Sequence, residues 1–173
     1  GTIGYITNNL KYVTPYTPKW AVVAQAILDY VDYKNYLGVP YVFGSSRYTD
    51  VSFDCSDFQQ WIFKNGAGIS IDWDSRKQSD DGIPADLNNL RTGDLIFFAR
   101  ADGYIHHVAM YVNVNGKDRL LHTFGEDNDI LDENLNVIKK DCGGVTYSEF
   151  SVGSYWRNKA SLARRIIIGD TFE

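Results

Sequence analysis

A chain of 173 residues with 44% hydrophobic and 23% charged side chains is long enough for one domain with a full hydrophobic core, and its composition is far from that of disordered or collagen-like chains. Seventeen basic residues against twenty-two acidic ones leave a net charge of -5, which disfavours polyanions and argues against nucleic acid as a partner. No apolar stretch approaches the roughly 20 residues that span a bilayer, so no membrane insertion is expected. The first residues lack the basic start and apolar middle of a signal peptide. Opening at Gly1 and not at Met, the chain reads as a processed or excised fragment with any targeting segment upstream. Its twelve tyrosines suit sugar or peptide binding, but packing explains them first.

Residues 1–16 read as an irregular or extended arm. Thr17-Pro18 then predicts a helix start, with threonine as cap and proline at the first helical position, where its missing N–H is not needed. Ala21, Val22, Ala26, Ile27, Tyr30 and Tyr33 recur at helical spacing up to Gly38, a C-terminal stop. The expected division is an arm and helix over 1–35 and a main unit over 36–173, compact as one domain. Gly38 to Gly44 is a loop with apolar anchors, and Ser45 to Ser52 is a polar connection. From Cys55, a second helix places Phe58, Trp61 and Ile62 on one face and ends at Asn65-Gly66, so Cys55 falls in its first turn. Residues 72–91 read as short helical turns and loops. Strands are expected at Asp94–Ala99, His107–Val112, Arg119–Phe124, more weakly at Gly144–Tyr147, and at Ala163–Ile168, with Asn113 to Lys117 turning a hairpin. Helices followed by consecutive strands predict an α+β domain with an antiparallel sheet.

Two cysteines, Cys55 and Cys142, are present. A bridge between them would be structural; a free Cys55 would be a candidate nucleophile. Neither Cys-x-x-Cys, His-x-x-x-His nor HExxH spacing occurs, so neither a metal nor a cofactor is expected. A thiol titrates near pKa 8.5, and a helix N-terminus or an imidazolium favours its anion. Asp54 and Asp57 oppose this. All three histidines, His106, His107 and His122, follow Cys55 in one stretch of expected strands. Each of these is ordinarily just a satisfied polar group; two beside a thiol supply a base and a residue that orients it.

Four motifs in order carry a family resemblance: Gly38-Val39-Pro40-Tyr41-Val42-Phe43-Gly44, Phe53-Asp54-Cys55-Ser56-Asp57-Phe58, Arg91-Thr92-Gly93-Asp94-Leu95-Ile96-Phe97-Phe98 and His107-Val108-Ala109-Met110-Tyr111-Val112. They resemble the successive motifs of the NlpC/p60 cell-wall cysteine peptidases, and Leu121-His122-Thr123 resembles the strand with the third catalytic residue. The resemblance covers roughly Tyr36 to Ile168. It implies a papain-like fold in which the nucleophile's helix packs on a small antiparallel sheet carrying the base. It makes Cys55 the nucleophile, His107 the general base, His122 the orienting residue and Tyr41 the tyrosine near the oxyanion site. Asp54 matches a residue that recognises a free amino group in some members, and Ser75 one linked to substrate binding. A helix cap and a surface turn are their plain alternatives. Ser56, His106 and Trp73 complete the expected substrate side.

Departures accompany the resemblance. Asp57 stands where glycine is frequent, Trp73 where arginine is common, and Phe43-Gly44-Ser45 replaces a tryptophan and a second glycine. His106 should point to the opposite strand face from His107, and a one-residue slip would exchange them. The acidic segment Gly125 to Cys142 either walls the cleft or is a solvated excursion. The implied activity is hydrolysis of peptidoglycan stem peptides at the γ-D-glutamyl bond to a diamino acid, by a secreted, monomeric cell-wall enzyme with a possible wall-targeting domain outside this fragment. An inactive wall-binding module, or an amidase or acyltransferase on the same scaffold, are the alternatives.

Overall fold

The structure, a computed structural model, describes residues 17–169; the expected arm over 1–16 lies outside them. Helix α1 (Lys19–Tyr33) buries Trp20, Ala21, Ala24, Ile27 and Val31 along one face. Its start differs from expectation by one position: Pro18 is the extended cap residue (φ -57°, ψ 147°) and helical geometry begins at Lys19. Its end also comes earlier than Gly38. Asn35 adopts φ 55° and turns the chain so that the Tyr36 N–H bonds back to the Val31 carbonyl at 3.1 Å.

Helix α2 (Cys55–Ala67) is capped by Asp54, whose carboxylate accepts the Asp57 N–H at 2.8 Å, and stops at Gly68 in the left-handed region. Gly66, expected as the stop, lies inside the helix against α1: a Cβ there would stand 3.0 Å from the Ile27 Cα. The two helices share one core, in which Ala24, Ile27 and Val31 pack with Phe58, Ile62 and Phe63. Cys55 therefore starts from a helix anchored on its apolar face. The short helix α3 (Ser75–Gln78) is tied to α2 by the Gln78 amide, which donates to the Ser56 carbonyl at 3.0 Å.

Strands β1 (Ile83–Ala85), β2 (Leu95–Ala99), β3 (Ile105–Val114), β4 (Lys117–Phe124), β7 (Gly144–Glu149) and β8 (Leu162–Arg165) form one antiparallel sheet in the order β1-β8-β2-β3-β4-β7. Val108, Met110 and Val112 of β3 join the helix-side core, while Ala109 and Tyr111 join a second cluster with Phe150 on the other face, the period-2 alternation of a strand buried on both sides. That second face is covered by helix α4 (Tyr155–Lys159). Strand β8 ends at Arg165, shorter than expected, and Arg165 forks onto the buried Asp94 carboxylate at 2.9 and 3.0 Å, fastening the end of β8 to the start of β2. Residues 125–142 hold a small hairpin of β5 (Ile130–Leu131) and β6 (Val137–Lys139). It leans on β7 through the Leu131 N–H to Thr146 Oγ1 bond of 2.8 Å.

The loop before α2 is stitched to the sheet's far edge. The Gly38 N–H donates to the Val145 carbonyl at 2.8 Å and the Val145 N–H returns to the Val39 carbonyl at 3.0 Å. Gly144, at φ +122°, makes this approach possible; a Cβ there would lie 2.3 Å from the Val39 oxygen. Gly144→Ala is expected to destabilise the fold by about 2 kcal/mol or more, lowering the melting temperature by roughly 4–8 °C. A thermal melt unchanged within 1–2 °C would show that the contact relaxes without cost.

Candidate active site

Cys55 and Cys142 are both free, the first buried and the second exposed, so the chain carries no bridge between them. The Cys55 thiol sits at the start of α2, where its own N–H, that of Ser56 and that of Val108 in β3 favour its anion. Burial and the Asp54 carboxylate outweigh these donors and push the thiol up to about 11. Val108 follows His107 directly, so the thiol touches the main chain beside the expected base. Among the described residues no hydrogen bond joins the thiol to an imidazole.

The two inner histidines form a line. His107 Nε2 and His122 Nδ1 are 2.8 Å apart, and His122 Nε2 is 2.8 Å from Ser148 Oγ. Ser148 stands opposite Leu120 in the β4–β7 ladder, diagonal to His122, close enough for such a contact. Two tautomer sets satisfy both contacts. In one, His107 Nε2–H donates to His122 and His122 Nε2–H donates to Ser148, which leaves His107 Nδ1 with a free lone pair. In the other every proton runs the opposite way and Nδ1 is occupied. Phe98, Phe124 and Trp156 pack on His107 with ring centroids 5.4, 6.3 and 5.3 Å away. This apolar cover lowers His107 to about 3, burial first and the neighbouring His106 second. His122, fully enclosed, is lowered well below its usual value for the same reason, with His107 adding to it.

At neutral pH the resting site thus holds a neutral thiol and neutral His107 and His122 rings, since the proton's affinity for sulfur far exceeds that for His107. Alkylation of Cys55 by iodoacetamide is expected to rise about tenfold per pH unit from pH 7 to 9.5, because the reactive thiolate fraction does so below its pKa. A flat rate extending below pH 7 would reveal a preformed thiolate–imidazolium pair and refute this description.

A cleft of about 440 Å³ opens over the thiol. Tyr41, Asp54, Cys55, Ser56, Ser75, His106 and Trp73, all expected at the site, line it together; His107 and His122 do not, being enclosed on the sheet face that Phe98 and Trp156 cover, away from the core of α2. Tyr41 is carried there by the bridge it makes beside Phe53, and its hydroxyl is raised by burial and by the charges of Cys55 and Asp54. His106 reaches the cleft because β3 begins at Ile105 and its pairing with β2 shifts: Phe98 faces His107 while Ala99 faces Ile105. The extra residue is His106, a β-bulge that leaves it exposed at the cleft while His107 is buried. No residue of 125–142 lines the cleft.

The structure adds residues that sequence reasoning missed. Arg47 reaches Ser56 Oγ at 3.1 Å, Asp54 at 3.4 Å and Asp57 at 3.6 Å. Arg76 bonds the Tyr104 hydroxyl, and the Arg100 guanidinium lies 4.2 Å from the same ring's centroid; all three line the cleft. Nothing in the spacing of an arginine within the polar stretch 45–52, or of a serine in a weak strand, signals these contacts.

Residues 38–165 match the NlpC/P60 family. A gamma-D-glutamyl-L-lysine dipeptidyl-peptidase of Bacillus cereus is 41% identical over 92 residues, covering 52% of this chain and 26% of that protein. The murein DD-endopeptidase MepS/murein LD-carboxypeptidase of Escherichia coli is 30% identical over 145 residues, covering 84% of this chain and 64% of the relative. The chain thus spans less than two thirds of either. The crystal structure of an NlpC/P60 family protein from Bacillus cereus superposes with a TM-score of 0.61 at 28% identity, over 84% of this chain and 40% of that one. Since the match runs unbroken from the Tyr41 loop through the Cys55 helix to the last strand of the sheet, the chain belongs to the NlpC/P60 family.

Proposed function

We propose that the chain is a cysteine peptidase that cuts peptidoglycan stem peptides at the γ-D-glutamyl bond to a diamino acid. The supporting observation is a free thiol on a helix N-terminus, opening to a cleft and lying against the main chain next to a histidine whose Nε2 is held by a second one. His107 Nδ1 takes the thiol proton as the sulfur attacks the amide carbonyl. The contact closes when substrate binds, since catalytic hydrogen bonds in free enzymes are often long. His107 Nε2–H stays bonded to His122, so the imidazolium is oriented throughout. The oxyanion is held by N–H groups at the start of α2, with the Tyr41 hydroxyl as a further donor; such donors are each worth about 10² to 10³ in rate. His107 returns its proton to the leaving amine, and water attacking the thioester releases the acid and restores the thiol.

The choice of bond rests on the names of two relatives, from Bacillus cereus and Bacillus subtilis, which are gamma-D-glutamyl-L-lysine dipeptidyl-peptidases. A wall substrate places the working enzyme outside the cytoplasm, and among the described residues no helix is long and apolar enough to cross a membrane. Incubation with digested wall fragments, followed by mass spectrometry, tests the reading: a new amino terminus on the diamino acid is expected. Retention of intact fragments without cleavage would replace it with a binding module, and a gain in mass would replace it with acyl transfer.

A further inference from the structure

Beside the cleft lies a second cavity, of about 590 Å³, and Arg47 and Trp73 line both. Its floor is the face of α2 formed by Asp57, Gln60, Trp61, Lys64 and Asn65, residues at helical spacing that span about 12 Å of the helix leading away from the thiol, at 1.5 Å per residue. Tyr48 and Trp73, 91% and 53% exposed, stand at its sides as flat aromatic surfaces, with the Lys77 ammonium 5.0 Å from the Trp73 ring centroid.

At the cleft end, Asp57 is 1% exposed, and its Oδ2 is buried with no hydrogen-bond partner among the protein's groups. Its other oxygen stands 3.6 Å from Arg47. A buried polar oxygen without a partner is costly, and here it lines a cavity that a ligand can enter. Burial first, partly offset by Arg47, raises this carboxyl to about 7, so at neutral pH it both accepts and donates.

Asp54, the expected reader of a free amino group, is engaged at one of its two oxygens. Its Oδ1 takes the Asp57 N–H at 2.8 Å and the Ser56 hydroxyl at 3.1 Å, with the Arg47 guanidinium 3.4 Å away. An ammonium group arriving there would have to share the carboxylate with the Arg47 guanidinium, which stands between Asp54 and Asp57 at 3.4 and 3.6 Å. The amino end of a stem peptide in intact wall carries no ammonium. It is amide-linked to the lactyl group of an N-acetylated amino sugar.

We propose that the cavity along α2 is a sugar subsite that takes the N-acetylated amino sugar of a glycan-linked stem peptide, so that this enzyme prefers glycan-linked stems to free peptides. The inference rests on the peptidase reading and extends its cleft. Tyr48 and Trp73 offer faces for the sugar's C–H surface, Lys64 donates to its hydroxyls, and Asp57 Oδ2 meets the N-acetyl amide. A peptide fits the same cavity less well, because the wall is a helix whose main chain is bonded internally and offers no free strand edge to pair with.

The test uses Cys55→Ala, so that binding is read without turnover. Calorimetric titration compares a disaccharide–tetrapeptide with the same tetrapeptide bearing a free amino end. The glycan-linked ligand is expected to bind at least tenfold more tightly. Adding Tyr48→Ala and Lys64→Ala should cut that gain to less than threefold while leaving the affinity for the free peptide unchanged. Equal affinities, tighter binding of the free peptide, or a gain that survives both substitutions would each overturn the subsite. The unsubstituted chain cutting neither ligand would overturn the peptidase reading alone, and the titration would still decide the sugar site.

Discussion

Cys55→Ala is expected to lower kcat on stem-peptide fragments by at least about 10⁴-fold while leaving the fold in place. The magnitude follows from the proposed role: removing a covalent nucleophile leaves only the binding and oxyanion contributions, and nucleophile deletions in other hydrolases reach about 10⁶. The fold survives because the substitution removes one sulfur from a 9% exposed position, while the α2 cap through Asp54 and the Phe58, Ile62 and Phe63 core remain. The cleft donors also remain, so substrate still binds and KM or Kd should move little. Cleavage at more than a tenth of the original rate, with a melting temperature unchanged, would rule out sulfur as the attacking atom.

The second large effect is at His122. In the tautomer set that frees His107 Nδ1, His122→Ala removes the acceptor of the His107 Nε2–H and lets the imidazole place its proton on Nδ1, where it blocks uptake from the thiol. Loss of the correct tautomer in an otherwise intact triad costs about 10⁴ in kcat, and a fall of about 10² to 10⁴ is expected here, in kcat and not in KM. His122→Gln offers an amide oxygen as acceptor and should recover at least tenfold over the alanine variant. A side chain acting only by filling space would not show that rescue, since alanine and glutamine would then differ in stability alone. Because His122 is fully buried, both variants should be compared by thermal melt first. An alanine variant that folds and keeps full kcat would remove the histidine line from the mechanism.

The site was legible in the sequence wherever local chemistry dictated placement. Asp54 before Cys55 is a cap residue followed by an apolar helical period, so the thiol's position in the first turn follows from neighbouring residues alone. Met110 to Val112 and Leu120 to Phe124 alternate as paired strands do, and their pairing, Met110 with Leu121 and Tyr111 with Leu120, is the hairpin expected around Asn113 to Lys117. The strand start was misjudged at Ile105 because a bulge leaves no periodic mark: one unpaired residue, His106, reverses the faces of everything before it. The end of α1 was misjudged because an asparagine in the left-handed region stopped the helix five residues before a pattern-based stop. Ser148 and Arg47 had no signal, since each acquires its role from a partner 26 or 7 to 10 residues away.

By itself the chain of residues determined an α+β domain, a thiol at a helix start, the residues able to act as base, and membership of a peptidase lineage, because those depend on propensity, periodicity and the order of motifs. Tertiary structure alone decided that the two inner histidines and Ser148 stand in line, that an aromatic cover keeps them neutral, and that Arg47 joins the thiol cleft to a second cavity along α2. Those features arise from distances between strands and from burial, and both are set only when the sheet and helices pack.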